Sequence, residues 1–120
     1  MTYDEGGARV LLCGGQTDST GLGLFEWADT AWTRLEVPDS FCRVEDDLIA
    51  HDLLRDLNVV VRVFDGQSTY LSAGAWTSVV SPRARVDSAM TGGPTGAVLF
   101  GGQPTITSTY AYEETWVFGH

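Results

Sequence analysis

The chain repeats itself three times. MTYDEGGARVLLCGG (Met1–Gly15), LIAHDLLRDLNVVVRVFDG (Leu48–Gly66) and AMTGGPTGAVLFGG (Ala89–Gly102) follow one plan: a short extended segment, a small turn, then an apolar β-rich run. Each run closes on Gly-Gly or Asp-Gly, and an aromatic segment follows: LFEWADTAWTRLEV, STYLSAGAWTSVV and ETWVFGH. A repeat of this kind is a supersecondary unit that buries its apolar face only against its neighbours. The chain must therefore fold as a row of similar units, and any candidate site has to be placed on that row.

Each unit reads as four strands. The first carries Arg-Val-acid, in RVEDDLIAHD (Arg43–Asp52) and RVDSAMT (Arg85–Thr91). The second is the apolar run. The third is aromatic: Leu24–Trp27, Thr69–Leu71 and Thr115–Phe118. The fourth starts at a tryptophan, Trp32 or Trp76. DDLIAHDLLRDL (Asp46–Leu57) has near-helical leucine spacing and would read as a helix in isolation. Alignment of Val59–Phe64 with the other apolar runs instead predicts strand, a turn at Leu53–Asp56, and strand. Four short strands per period of roughly 40–50 residues is the signature of a propeller blade.

At Arg85–Met90, Val98–Gly102 and Thr115-Trp116 the chain resembles bacterial kelch repeats, whose pattern is Arg, two residues, a polar residue, Ala-Met, an apolar run, Gly-Gly, an aromatic pair and Trp. Arg43 to Trp76 is a looser copy with Asp65 in place of the first glycine, and Met1 to Trp32 joins the pattern part-way along its first strand. The resemblance implies an all-β, kelch-like β-propeller of three four-stranded blades, the last incomplete, at about 1–40, 41–82 and 83–120. Three blades cannot close a ring, since propellers use typically 4–8. A homodimer closing six blades is the simplest completion, twofold symmetry being the commonest closed form. A fragment of a longer propeller is the competing expectation. The four tryptophans are expected to pack blade on blade, with an aromatic ligand cage as the alternative use.

Composition sets the chemical limits. A formal charge of −9 argues against nucleic acid and against an anionic membrane surface, and suits a neutral or cationic partner. The seven basic residues are all arginine, which suggests a GC-rich bacterial source. No apolar run approaches the ~20 residues of a membrane helix, and no cationic start leads into an apolar stretch, so a cytoplasmic location is expected. Cys13 and Cys42 are too few for a disulfide-stapled scaffold and are expected to be inert thiols, with Cys13 a small core residue.

The chemistry is sought on the inner strands, which line a propeller's channel. Arg43-Val44-Glu45-Asp46-Asp47 puts three successive carboxylates there. Alternation assigns Arg43, Glu45, Asp47 and His51 to one face and Asp46 to the other, while Arg85 and Asp87 repeat Arg43 and Glu45 in the next unit. Crowded carboxylates raise one another's pKa and suit general acid–base work, so Glu45, Asp46, Asp47, Asp87 and His51 are the catalytic candidates. Arg43 and Arg85 are the candidate ligand-binding residues. The alternative is structural: Arg and its polar partner tie strands and loops together, and His51 is a turn residue. Asp47 and His51 would stand ~13 Å apart on an extended strand, too far to share an ion, so no metal and no cofactor is expected. Neither a phosphate-binding Gly-rich loop with its lysine nor a nucleophile motif is present. The function expected is a homodimeric binding module that holds a small molecule or protein at its acidic channel face. The alternative is a small bacterial secondary-metabolism enzyme, an isomerase, lyase or cyclase.

Overall fold

The computed structural model describes residues 1–14, 23–37, 41–42, 47–62, 67–72, 75–79, 84–104 and 107–118. Among them are eleven strands and no helix: β1 (Thr2–Asp4), β2 (Arg9–Cys13), β3 (Leu24–Ala28), β4 (Ala31–Leu35), β5 (Leu48–Asp52), β6 (Leu57–Val61), β7 (Ser68–Ser72), β8 (Ala75–Val79), β9 (Val86–Thr91), β10 (Val98–Gln103) and β11 (Thr115–Val117). They form three antiparallel sheets in chain order, β1-β2-β3-β4, β5-β6-β7-β8 and β9-β10-β11. No helix among the described residues is long and apolar enough to cross a membrane.

The helical spacing of Asp46–Leu57 yields to pairing. β5 and β6 run antiparallel in the register Leu48↔Val61 to Asp52↔Leu57, with the turn at residues 53–56. Asp52 organises that turn by accepting hydrogen bonds from the N–H groups of Leu54 (2.9 Å) and Arg55 (3.2 Å). Such side-chain bonds to the following backbone offer the chain a turn in place of a helix. The turn closes on Asp56 at φ 52°, and the matching turn after β1 closes on Ala8 at φ 49°. Gly14, Gly101 and Gly102 also have positive φ (71°, 73° and 91°), the role expected of the repeated Gly-Gly pairs.

Burial follows the sheet order. One core cluster, Leu11, Cys13, Leu24, Phe41, Cys42, Ile49 and Val60, joins the first sheet to the second. A second cluster, Ala50, Leu57, Val59, Val61, Ala97, Leu99 and Phe118, joins the second sheet to the third. The middle sheet is covered on both faces, and all five residues of β6 are buried. Its LNVVV is accordingly apolar at nearly every position rather than alternating. β5 touches β1 and β2 on one side and β9 on the other, so the first strands of the three sheets lie side by side.

Among the described residues, the outer sheets each keep one face uncovered. On the first, the register puts Tyr3, Val10, Leu12, Phe25, Trp27, Trp32 and Arg34 on the side away from the core. Trp27 and Trp32 sit opposite one another with ring centroids 5.4 Å apart, and are 39% and 48% exposed. This departs from the expectation that all four tryptophans pack between blades. Trp76 and Trp116 do pack on the two core clusters. On the third sheet the uncovered face carries Val98, Phe100 and Val117. Phe100 is exposed although its counterpart Cys13 is buried, because one faces away from the second sheet and the other toward it.

The cysteines correct a second expectation. Cys13 and Cys42 are joined in a disulfide with Cα atoms 4.8 Å apart, inside the first core cluster. Two cysteines are sparse for a secreted scaffold, but β2 and the segment after β4 converge on one buried spot, and that proximity decides the pairing.

Candidate functional site

The turn ends of β1 and β5 meet over a buried polar network. Asp4, the last residue of β1, accepts the Gly7 N–H at Oδ1 (2.9 Å) and Arg9 Nε at Oδ2 (2.9 Å). Arg9 Nη1 also reaches Glu26 Oε2 at 2.7 Å, linking β2 to β3. From the second sheet, Asn58 Nδ2 donates to Asp4 Oδ2 at 3.0 Å. Asn58 Oδ1 lies 3.0 Å from Nδ1 of His51, its register partner across β5 and β6. The His51 backbone N–H donates to Thr2 Oγ1 at 3.1 Å, tying β5 to β1.

The electrostatics of Asp4 are a contest. Burial raises its carboxyl pKa, but hydrogen bonds from Gly7, Asn58 and Arg9 and the Arg9 charge outweigh this and hold it below the usual value. Asp4 is thus a carboxylate at neutral pH. Arg9 is held protonated more firmly by Glu26 and Asp4, against the opposing effect of its own burial.

Asp56 completes the cluster from the turn. Its Oδ1 lies 3.5 Å from His51 Nε2, and its side chain is 63% exposed. One ligand atom each from Asp4, His51 and Asp56 falls within 4.8 Å of the other two. Gly6 makes this possible, because a Cβ there would overlap the Asp56 carboxylate. A hollow of about 230 Å³ opens beside the cluster, lined by Asp4, Gly6, Gly7, Arg9, Asp56 and Asn58, with Leu71 as its apolar wall. A second hollow of about 230 Å³ draws on β1, β5 and the β9 end, with Thr2, Tyr3, Glu5, His51, Leu53 and Thr91 around it. His51 faces one hollow while its network borders the other.

The sequence candidates are distributed unevenly. Arg43, Glu45 and Asp46 lie outside the described residues. Asp47 is buried just before β5. His51 is not a turn residue: it is 4% exposed as the next-to-last residue of the inner strand β5. Asp87 is exposed with φ 56° and accepts Gln103 Nε2 at 3.0 Å. Arg85 is 1% exposed. It donates to the Gly101 carbonyl (2.8 Å), pairs with Glu114 and stacks 4.9 Å from the Tyr112 ring centre. These bonds tie strand to loop.

Asp4, Asp56 and Asn58 were missed by sequence reasoning. A faint signal was present: Asp4 and Asp52 each end an inner strand four residues before a positive-φ turn residue, the usual place for an aspartate that bonds its own turn. Comparison of the chain with protein-family models, curated proteins and solved structures finds no match in any of the three.

Proposed function

We propose that this chain is a kelch-like half-propeller that pairs with a second copy of itself and acts as a binding module. The observation that carries this reading is the pair of uncovered apolar faces at opposite ends of a three-sheet row. One presents Tyr3, Trp27 and Trp32, the other Phe100 and Val117, all exposed. Apolar patches of that kind on a soluble protein mark interaction surfaces. A twofold axis would seat the first sheet of one copy on the third sheet of the other, twice over. That closes six sheets around their inner strands with no apolar face left in water.

The binding role follows from the hollow bordered by β1, β5 and the β9 end. It is small and lined by Thr2, Glu5, His51 and Thr91 alongside Tyr3 and Leu53, a mixture that suits a small polar ligand or a side chain of a partner protein. The −9 charge favours a neutral or cationic one. The Cys13–Cys42 disulfide supports an oxidising compartment over the cytoplasm expected from sequence.

Sedimentation velocity at micromolar concentration tests the assembly. The expected species is twice 13.0 kDa, and Trp32→Glu and Phe100→Glu should each shift it toward monomer, since each damages both copies of the same contact. A wild-type chain that sediments as a monomer at 100 µM, with a melting temperature independent of concentration, overturns the half-ring.

A further inference from the structure

Asn58 determines which nitrogen of His51 carries hydrogen. Its Nδ2 lies 3.0 Å from Asp4 Oδ2, and a carboxylate only accepts, so the amide nitrogen must face Asp4 and the amide oxygen must face His51. His51 Nδ1 is therefore an N–H donor to Asn58 Oδ1. A neutral imidazole then has its lone pair on Nε2. That atom is buried, has no hydrogen-bond partner among the described residues, and points at Asp56 Oδ1 from 3.5 Å. Two electron-pair donors face each other across that gap, an arrangement that a cation between them would satisfy.

We propose that Asp4, His51 and Asp56 bind one divalent cation of the zinc class, with Asn58 as the residue that orients the imidazole. A tetrahedral site with ligands ~2.0–2.1 Å from the ion has ligand–ligand edges of roughly 3.4 Å. The His51–Asp56 edge already has that length. Asp4 Oδ1 lies 3.8 Å from His51 Nδ1, and the three ligand atoms lie within 4.8 Å of one another, so the Asp4 vertex has to close by up to ~1.4 Å to reach a tetrahedral edge. Its Oδ2 already accepts Arg9 and Asn58, whereas Oδ1 accepts the Gly7 N–H and keeps a lone pair for the ion. A metal-bound histidine almost always donates its other N–H to an oxygen that fixes the ring, which is the part Asn58 plays here.

The ligand set selects the ion. One imidazole and two carboxylates are too few for calcium, which takes six to eight oxygens. They match the three protein ligands of an open zinc site, with a fourth position left for water or an exogenous ligand. Asp4, Glu26 and Asp56 against the single Arg9 charge leave the surroundings net negative. The adjoining hollow of about 230 Å³ gives an ion its entry and room for water. None of this depends on the dimer.

Calorimetric titration of the EDTA-treated full chain with zinc chloride at pH 8 tests the site. One zinc per chain is expected, with Asp56→Asn and His51→Gln each weakening affinity at least tenfold. Asn58→Leu should weaken it about 10–100-fold. Asp56 is exposed, so its variant keeps the fold if His51→Gln does not. His120→Ala, which removes the only other histidine, should bind zinc as wild type does. No uptake at millimolar zinc overturns the proposal, as does uptake that Asp56→Asn leaves unchanged or that His120→Ala abolishes. Nitrogen NMR of the metal-free chain gives an independent reading of the tautomer: the neutral ring should carry its hydrogen on Nδ1, and a neutral ring with its hydrogen on Nε2 overturns the site.

Discussion

Gly92 lies so close to the carbonyl oxygen of His51 that a Cβ built on it would overlap that oxygen. The third sheet therefore meets the second through bare backbone, at the one residue of β5 whose side chain reaches the polar network of the first. Neighbouring Gly93 has no such constraint, with the Gly96 carbonyl oxygen 3.9 Å away as its nearest contact. Two adjacent glycines thus have opposite expectations. Gly92→Ala should destabilise the fold by about 1–3 kcal/mol through overpacking, lowering the melting temperature by roughly 5–15 °C. Gly93→Ala should leave it within a degree or two. Equal effects in thermal melts would remove this contact as the hinge between the sheets.

The disulfide gives a second prediction. Cys13 and Cys42 are 29 residues apart, and closing a loop of that length stabilises by about 3–4 kcal/mol in the chain-entropy account. Dithiothreitol, or the Cys13→Ala/Cys42→Ala pair, should lower the unfolding free energy from urea titration by that amount, with the midpoint falling in proportion. Thiol titration of the protein unfolded without reductant should find no free sulfhydryl. Two thiols that react only on unfolding would return the cysteines to the inert core role expected from composition.

Acid stability should depend on Asp4. Its carboxyl pKa is depressed in the fold, so its contribution is complete above the unfolded value of ~3.9 and is lost as pH falls through the lower folded value. In EDTA, wild type should exceed Asp4→Asn in stability at pH 7. The gap should narrow only below about pH 4 as the wild-type carboxylate takes up its proton. A gap that is constant from pH 7 to pH 2.5 would mean that the charge of Asp4 contributes nothing.

What the sequence made legible was what each repeat shows by itself. The apolar runs, the Gly-Gly closures and the turn at residues 53–56 are local, and they recur, so LNVVV could be read as a strand despite the helical spacing beside it. The polar network was not legible, because it is assembled across repeats. Asp4 comes from one sheet, and His51 and Asn58 from the next. The place that Asp4 and Asp52 hold at the end of β1 and β5 is taken in the third sheet by Thr91. Repeat alignment highlights what units share, and this site is built from what they do not. The exposed Trp27 and Trp32 depart from expectation for a related reason: their phase marks a face that packs on a neighbour, and among the described residues the first sheet has none on that side.

Arg85 separates the two roles that its sequence pattern leaves open. A ligand-binding arginine is reachable by solvent, and its loss costs affinity rather than stability. Arg85 is instead buried, donates to the Gly101 carbonyl at a positive-φ turn, and pairs with Glu114 from the segment leading into β11. Its guanidinium also lies over Tyr112. Replacing it with methionine preserves much of the apolar stem but leaves a buried carbonyl and a half-buried carboxylate without their donor. Breaking buried pairs of this kind costs ~3–5 kcal/mol, and the partial exposure of Glu114 puts the expectation at the lower end, about 3 kcal/mol. Lysine should rescue only part of this, because a single ammonium cannot serve the carbonyl, the carboxylate and the ring in one geometry. Chemical denaturation of Arg85→Met and Arg85→Lys should therefore rank wild type above Lys above Met. If both variants melt with wild type, the packing around Gly101 does not rest on Arg85, and the ligand-facing role becomes the better account of its presence.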